Sequence, residues 1–224
     1  SDSSSVGNTN MLSDYAAIKN GSYGKLMKAY YAKQDAEKLS GKGDTSQKLT
    51  LMKTSADSLK KSADALNDSS LWEKKKIKKK DEKTGEEIEV EDYDWDKITK
   101  AVKSFVEDYN DVVKEAGESN TKDVLRNASW MTGMTDKNSN MLAKIGITIG
   151  KGNKLELDED ALKQADISSL KTVFTGYNSF VSKISQKATG ISNAANRASA
   201  TYTNNGTYSK TDSSLTSSKI DKEV

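Results

Sequence analysis

Leu49, Met52, Ala56, Leu59, Ala63 and Leu66 recur at alternating intervals of three and four residues, and no proline interrupts them or any other part of the 224-residue chain. On a helix such spacing draws one apolar stripe along one side, a heptad seam that another helix must cover. Ile98, Val102, Phe105, Tyr109, Val112 and Ala116 repeat the device over residues 94–116, behind a cap at Asp94 or Asp96. A third seam, Phe180, Ile184, Ile191, Ala195 and Ala198, runs through a helix expected from about Tyr177 to Tyr202. The helices at 46–67 and 94–116 are expected to pack side by side and antiparallel. Without proline, nothing removes a backbone donor or clashes with the preceding turn, so long helices are allowed. The fold class that follows is mainly α: an elongated, antiparallel, coiled-coil-like helical bundle with two small β-hairpins.

Composition agrees with thin helical packing. Hydrophobic residues make up 34% of the chain and charged residues 30%, which suits helices that each bury a single stripe. Lysine and arginine total 35 against 33 acids, a net charge of +2 that exerts no general pull on nucleic acid or anionic membranes. The chain has neither cysteine nor histidine. Disulfides, thiolate metal sites, Ser/His and Cys/His nucleophile pairs and most zinc sites are thereby removed. No apolar run approaches the ~20 residues of a membrane span, and the polar start "SDSSSVGNTN" does not read as a signal peptide. Accordingly, no catalytic residue, cofactor or metal is expected, nor a nucleic-acid partner or membrane insertion.

Along the chain, residues 1–9 are expected to be a flexible N-terminal segment and 203–224 a flexible Ser/Thr/Lys-rich tail. Residues 10–202 form the expected helical rod domain, carrying a hairpin insertion at 71–93 and a small hairpin at 146–158. Tyr23, Leu26, Met27, Tyr30 and Tyr31 make a broad apolar face. At helical spacing it reads as helix contact, or as a partner surface built on Tyr23, Tyr30 and Tyr31. Residues 121–144 look helical, with Thr121 as cap and a break at Gly133.

The insertion is lysine-rich in its first half and acidic in its second. Folded at Glu82-Lys83-Thr84-Gly85, it is expected to pair Ile77 with Ile88, Lys76 with Glu89 and Lys78 with Glu87. The lysine run then answers to its own neighbours, whereas a nucleic-acid patch needs uncompensated basic charge.

"IGITIGKGNKLELDEDALKQA", residues 145–165, crowds glycines, a lysine and carboxylates together. A phosphate loop would run from Gly-Lys-Ser/Thr into a helix, but here Gly150-Lys151-Gly152-Asn153 leads into alternating Lys154-Leu155-Glu156-Leu157. An EF-hand would need oxygen ligands at alternating positions and a glutamate at the twelfth, and "DEDALKQADISS" supplies only the first few. The pattern fits a small hairpin around a Gly-rich turn, with Asp158 capping a helix that begins at Glu159. Carboxylate pairs at Asp94/Asp96 and Asp158/Asp160 stand two residues apart, point to different helix faces and are accounted for by capping. Phe105, Tyr109, Ile145, Ile147, Leu155, Leu157 and Phe174 are the expected core.

The stretch 145–165, with Ile145-Gly146-Ile147 and Leu155-x-Leu157-Asp158 ahead of a helix, resembles the Ile-Gly-Ile, Gly-x-Leu-x-Leu-Asp, helix pattern in the C-terminal region of the bacterial flagellar filament cap family, flagellar hook-associated protein 2. Phe105, Val106, Tyr109 and Asn110 are similar to that family's Phe-Val-x-x-Tyr-Asn segment, and Val173, Phe174 and Gly176 to its Val-x-x-Leu-Phe element. Order and spacing agree over about residues 98–200. The resemblance implies a non-enzymatic structural protein, exported to the cell exterior or flagellum, that self-associates or contacts flagellin-type proteins. The alternative is a secreted or surface-exposed helical binding module derived from that flagellar family, engaging a protein partner.

Overall fold

The computed structural model describes residues 43–204. The expectations for residues 1–9, for Tyr23, Tyr30 and Tyr31, and for the tail from 205 onward fall outside these described residues. Seven α-helices and two antiparallel two-stranded sheets are present among them, so the chain is mainly α with two small hairpins, as its periodicity requires.

The seams built the helices. Helix α1 (Ser46–Leu66) begins where the Thr45 hydroxyl accepts from the Lys48 N–H, and its buried residues are Leu49, Met52, Ala56, Leu59, Ala63 and Leu66. All six belong to the heptad stripe. Helix α2 (Trp95–Gly117) is capped by Asp94, which accepts from the Lys97 N–H, with Asp96 in the first turn. Its whole stripe is buried, and Thr99, Val106 and Val113 widen it. That second row gives α2 two neighbours, because a broad apolar face cannot be covered by one helix.

Helix α3 (Lys122–Lys137) follows after a short loop, then the single-turn α4 (Ser139–Ala143). Strands β1 (Lys75–Lys80) and β2 (Glu87–Asp92) make the insertion, and β3 (Ile147–Ile149) and β4 (Leu155–Leu157) the small hairpin. Helices α5 (Glu159–Gln164), α6 (Ile167–Phe174) and α7 (Phe180–Asn204) complete the chain.

Directions follow from side-chain contacts. Asp44, just before α1, accepts from Ser119 and Asn120 just after α2, so the two helices run antiparallel. Ser192 donates to Asp57 and Ser185 to Asp64, each at 2.7 Å, while Asn67 meets Gly176; residue numbers fall on α1 as they rise on α7. Those helices are antiparallel too. Tyr109 of α2 reaches Thr135 of α3, and α3 packs on α7 as well as on α2. The four long helices therefore surround one core. Trp72, in a short 3-10 turn at Ser69–Trp72, stacks on Phe174 with centroids 5.6 Å apart and donates its indole N–H to the Leu66 carbonyl. Phe105 lies edge-on to Phe174 and Phe180 and tilted against Tyr109.

Several expectations need correction. The insertion pairs Ile77 with Val90, Lys78 with Glu89 and Lys76 with Glu91, a register two residues away from the one expected. The reason lies in the turn: Gly85 takes φ +70 and donates its N–H to Asp81, while Asp81 donates to Glu86, which centres the loop on residues 82–85. The break expected at Gly133 comes instead at Asn138, at the end of α3, for the Asn138 amide folds back onto the Met134 carbonyl. Thr121 stands at the start of α3 without a side-chain capping bond, because its hydroxyl is spent on Asp44. The last helix begins at Phe180, three residues after the expected Tyr177.

Candidate functional site

The motif residues converge where the small hairpin meets α2. Phe105 and Tyr109 are fully buried, as are Ile145, Ile147 and Phe174, with Leu155 nearly so. Leu157 is only partly buried, packed against the edge of the core. Asn110 lies one residue beyond Tyr109 and therefore turns away from the core centre, toward the hairpin. Its carboxamide donates to the Leu155 carbonyl at 3.0 Å and accepts from the Leu155 N–H at 2.7 Å. One side chain thus does for the outer edge of β4 what a neighbouring strand would do.

Gly146 fastens the other strand. It sits at φ +87, and its carbonyl accepts from the Asp158 N–H at 2.8 Å, so the entry to β3 and the exit from β4 are tied together. A Cβ at this position would stand 2.7 Å from the Asp158 carbonyl and 2.9 Å from the Leu162 N–H nitrogen. Both obstacles are backbone and cannot swing aside. Asp158 in turn caps α5 by accepting from the Ala161 N–H. In this motif, then, Asp158 is a helix cap and Gly146 of the Ile145-Gly146-Ile147 segment a point of close backbone approach.

Tyr109 donates its phenol to Thr135 at 2.8 Å, and burial pushes its ionisation above the ordinary tyrosine range, the hydrogen bond opposing and Asp136 reinforcing the shift. It is a neutral donor inside the core, not a reactive group. Burial also raises the Asp108 carboxyl, against a hydrogen bond from Ser62; the acids that raise it further, Asp111 and Glu107, stand on its own helix. Across α1 and α7 the acids behave differently. Burial disfavours the charge on Asp57, but hydrogen bonds from Lys53 and Ser192 and the nearby lysines outweigh it and hold the carboxyl below the ordinary value. Asp64 is held down in the same way by Lys60 and Ser185.

These four acid and serine positions were not singled out in the sequence, although the signal was there. Lys-x-x-Ala-Asp occurs at 53–57 and again at 60–64, one heptad apart, and Ser185 and Ser192 are also one heptad apart. Asp44, buried with bonds to Ser119, Asn120 and Thr121, has no such repeat to announce it. Among the described residues, no cluster of three or more His, Cys, Asp or Glu side chains is placed to hold a metal ion, and no helix is long and apolar enough to cross a membrane.

The described residues thus form a core of four long helices with a small hairpin clasped by an asparagine and a capped turn. Residues 119–223 match the family model of the flagellar hook-associated protein 2 C-terminus, the family and region that the sequence resembles. The matched range takes in β3, β4 and α3 through α7, and it continues through the tail; the Phe105–Asn110 segment precedes it. Comparisons with curated proteins and with solved structures gave no match.

Proposed function

We propose that this chain is a non-enzymatic structural component of the bacterial flagellum of the hook-associated, filament-capping kind, working outside the cell through contacts with further copies of itself or with flagellin-type proteins. The observation that carries the reading is the family match over residues 119–223. The architecture supports it: the residues shared with that family serve to clasp a hairpin onto a helical core, and the carboxylates near them act as caps and seam bonds.

Light scattering and electron microscopy of the full chain test this reading. Rings, rods or filament-end complexes that grow with concentration, or on adding flagellin, are the expected result. A chain that stays monomeric and ignores flagellin at every concentration would instead favour a surface-exposed binding module.

A further inference from the structure

Among the described residues, the β1–β2 hairpin has two open sides, for its sheet contains only these two strands. The Asp81 N–H donates to Glu86, and bonded and non-bonded pairs alternate along an antiparallel ladder. Counted from that bond, the pairs Lys79/Ile88, Ile77/Val90 and Lys75/Asp92 exchange hydrogen bonds within the hairpin. Lys76, Lys78 and Lys80 on β1, and Glu87, Glu89 and Glu91 on β2, therefore aim their backbone N–H and C=O groups outward. Among the described residues, no other element bonds to these outward groups.

The same six residues divide by charge. Every outward-bonding residue of β1 is a lysine and every one of β2 is a glutamate. Two β1 edges brought together would set lysine against lysine, and two β2 edges glutamate against glutamate, each destabilising. A β1 edge against a β2 edge sets lysine against glutamate at every outward pair. The lysines that blunt an edge against indiscriminate pairing here leave one complementary match, which is the other edge of the same hairpin on another molecule.

We propose that this hairpin joins copies of the chain head to tail, the outer edge of β1 pairing antiparallel with the outer edge of β2 of the next copy. Such a contact uses two different surfaces, so it propagates: it closes into a ring if the rotation between copies allows and otherwise continues as a filament. Each lysine of the Lys76/Lys78/Lys80 row then lies between two glutamates, one from its own β2 and one from its neighbour's. The proposal deepens the assembly reading above and rests on it, by naming a surface for self-association.

Proline gives a clean test, because at an outward-facing position it removes only the free donor and leaves the internal ladder intact. Lys78→Pro blocks the β1 edge and Glu89→Pro the β2 edge; Lys80→Pro and Glu87→Pro repeat the pair at neighbouring sites. Unchanged helical melting confirms that each variant folds. Analytical ultracentrifugation of the full chain at low ionic strength is expected to show association in the unsubstituted protein and its loss in either variant alone. A mixture of the two variants, each with the edge the other lacks, should recover a complex that stops at a heterodimer. Association that survives both substitutions would overturn the edge contact and leave the assembly reading standing. Loss with Lys78→Pro but not with Glu89→Pro would overturn it in favour of a symmetric β1 contact, and an unsubstituted chain that never associates would overturn both readings.

Discussion

The two hairpins share an element type and little else. The one at 75–92 has strands of six residues and is exposed along most of its length, whereas the one at 147–157 has strands of three. Judged by ladder length the first should be the firmer, yet an isolated two-stranded hairpin is marginal in water. The short one is clasped from three directions: Ile147 and Leu155 enter the core, Asn110 bonds the Leu155 backbone, and the Gly146 carbonyl binds Asp158. The long one leans on Ile77 and Val90, both half-buried, on Lys79 bonded to Asp92, and on rows of opposed lysine and glutamate. What differs is attachment to the core, and attachment leaves the long hairpin with free edges while the short one has none to offer on the β4 side.

This contrast can be broken most severely from beneath the short hairpin. Phe105→Ala removes a ring that touches Tyr109, Phe174 and Phe180 and should cost about 3 to 5 kcal/mol, read as a lowered midpoint in thermal or urea unfolding. Gly146→Ala comes next, at about 3 kcal/mol or more, because it adds a strained φ to two backbone clashes. Its counterpart in the long hairpin is Gly85→Ala, where φ is also positive but nothing lies within 4 Å of the new methyl; that change should cost only about 1 to 2 kcal/mol, confined to the hairpin. Equal effects of the two glycine substitutions on global unfolding would erase the distinction. Asn110→Ala leaves the Leu155 N–H and C=O without their partner, for a loss of about 2 kcal/mol.

The smallest effect belongs to the α1–α7 seam. Asp57 and Asp64 ionise below the ordinary carboxylate value in the folded chain. Their contribution is thus complete above the unfolded pKa of about 4 and is lost as pH falls through the lower folded values. Both pairs with lysine are about half exposed, so screening keeps each contribution below about 1 kcal/mol. Asp57→Asn with Asp64→Asn should flatten that acid limb in unfolding midpoints measured between neutral and strongly acid pH.

The sequence made the helices legible because a heptad is a local pattern: every residue of the α1 and α2 stripes is buried. The hairpin register was not legible in the same way. A slip of two residues keeps each side chain on its face and still opposes lysine to glutamate, so only the conformation of Gly85 and the Asp81 bonds decides between the alternatives. Gly133 looked like a break, but a glycine inside a helix costs only about 1 kcal/mol and the packing of α3 absorbs it; Asn138, whose side chain competes for a backbone carbonyl, ends the helix. At the motif, Asn110 was visible as a residue type in a pattern, while its partner Leu155 lies 45 positions away. Asp44 reaches Ser119 across 75 positions, and no local spacing encodes such a bond.

The central claim is that the short hairpin belongs to the core and the long one stands apart with open edges. Residue-resolved amide hydrogen exchange of the full chain at low concentration tests it most directly. The Leu155 and Asp158 amides should exchange only with global unfolding, while those of Lys76, Lys78 and Lys80 exchange nearly as fast as in an unstructured peptide. Early exchange at Leu155, or core-like protection at the three lysines in the monomer, would contradict it.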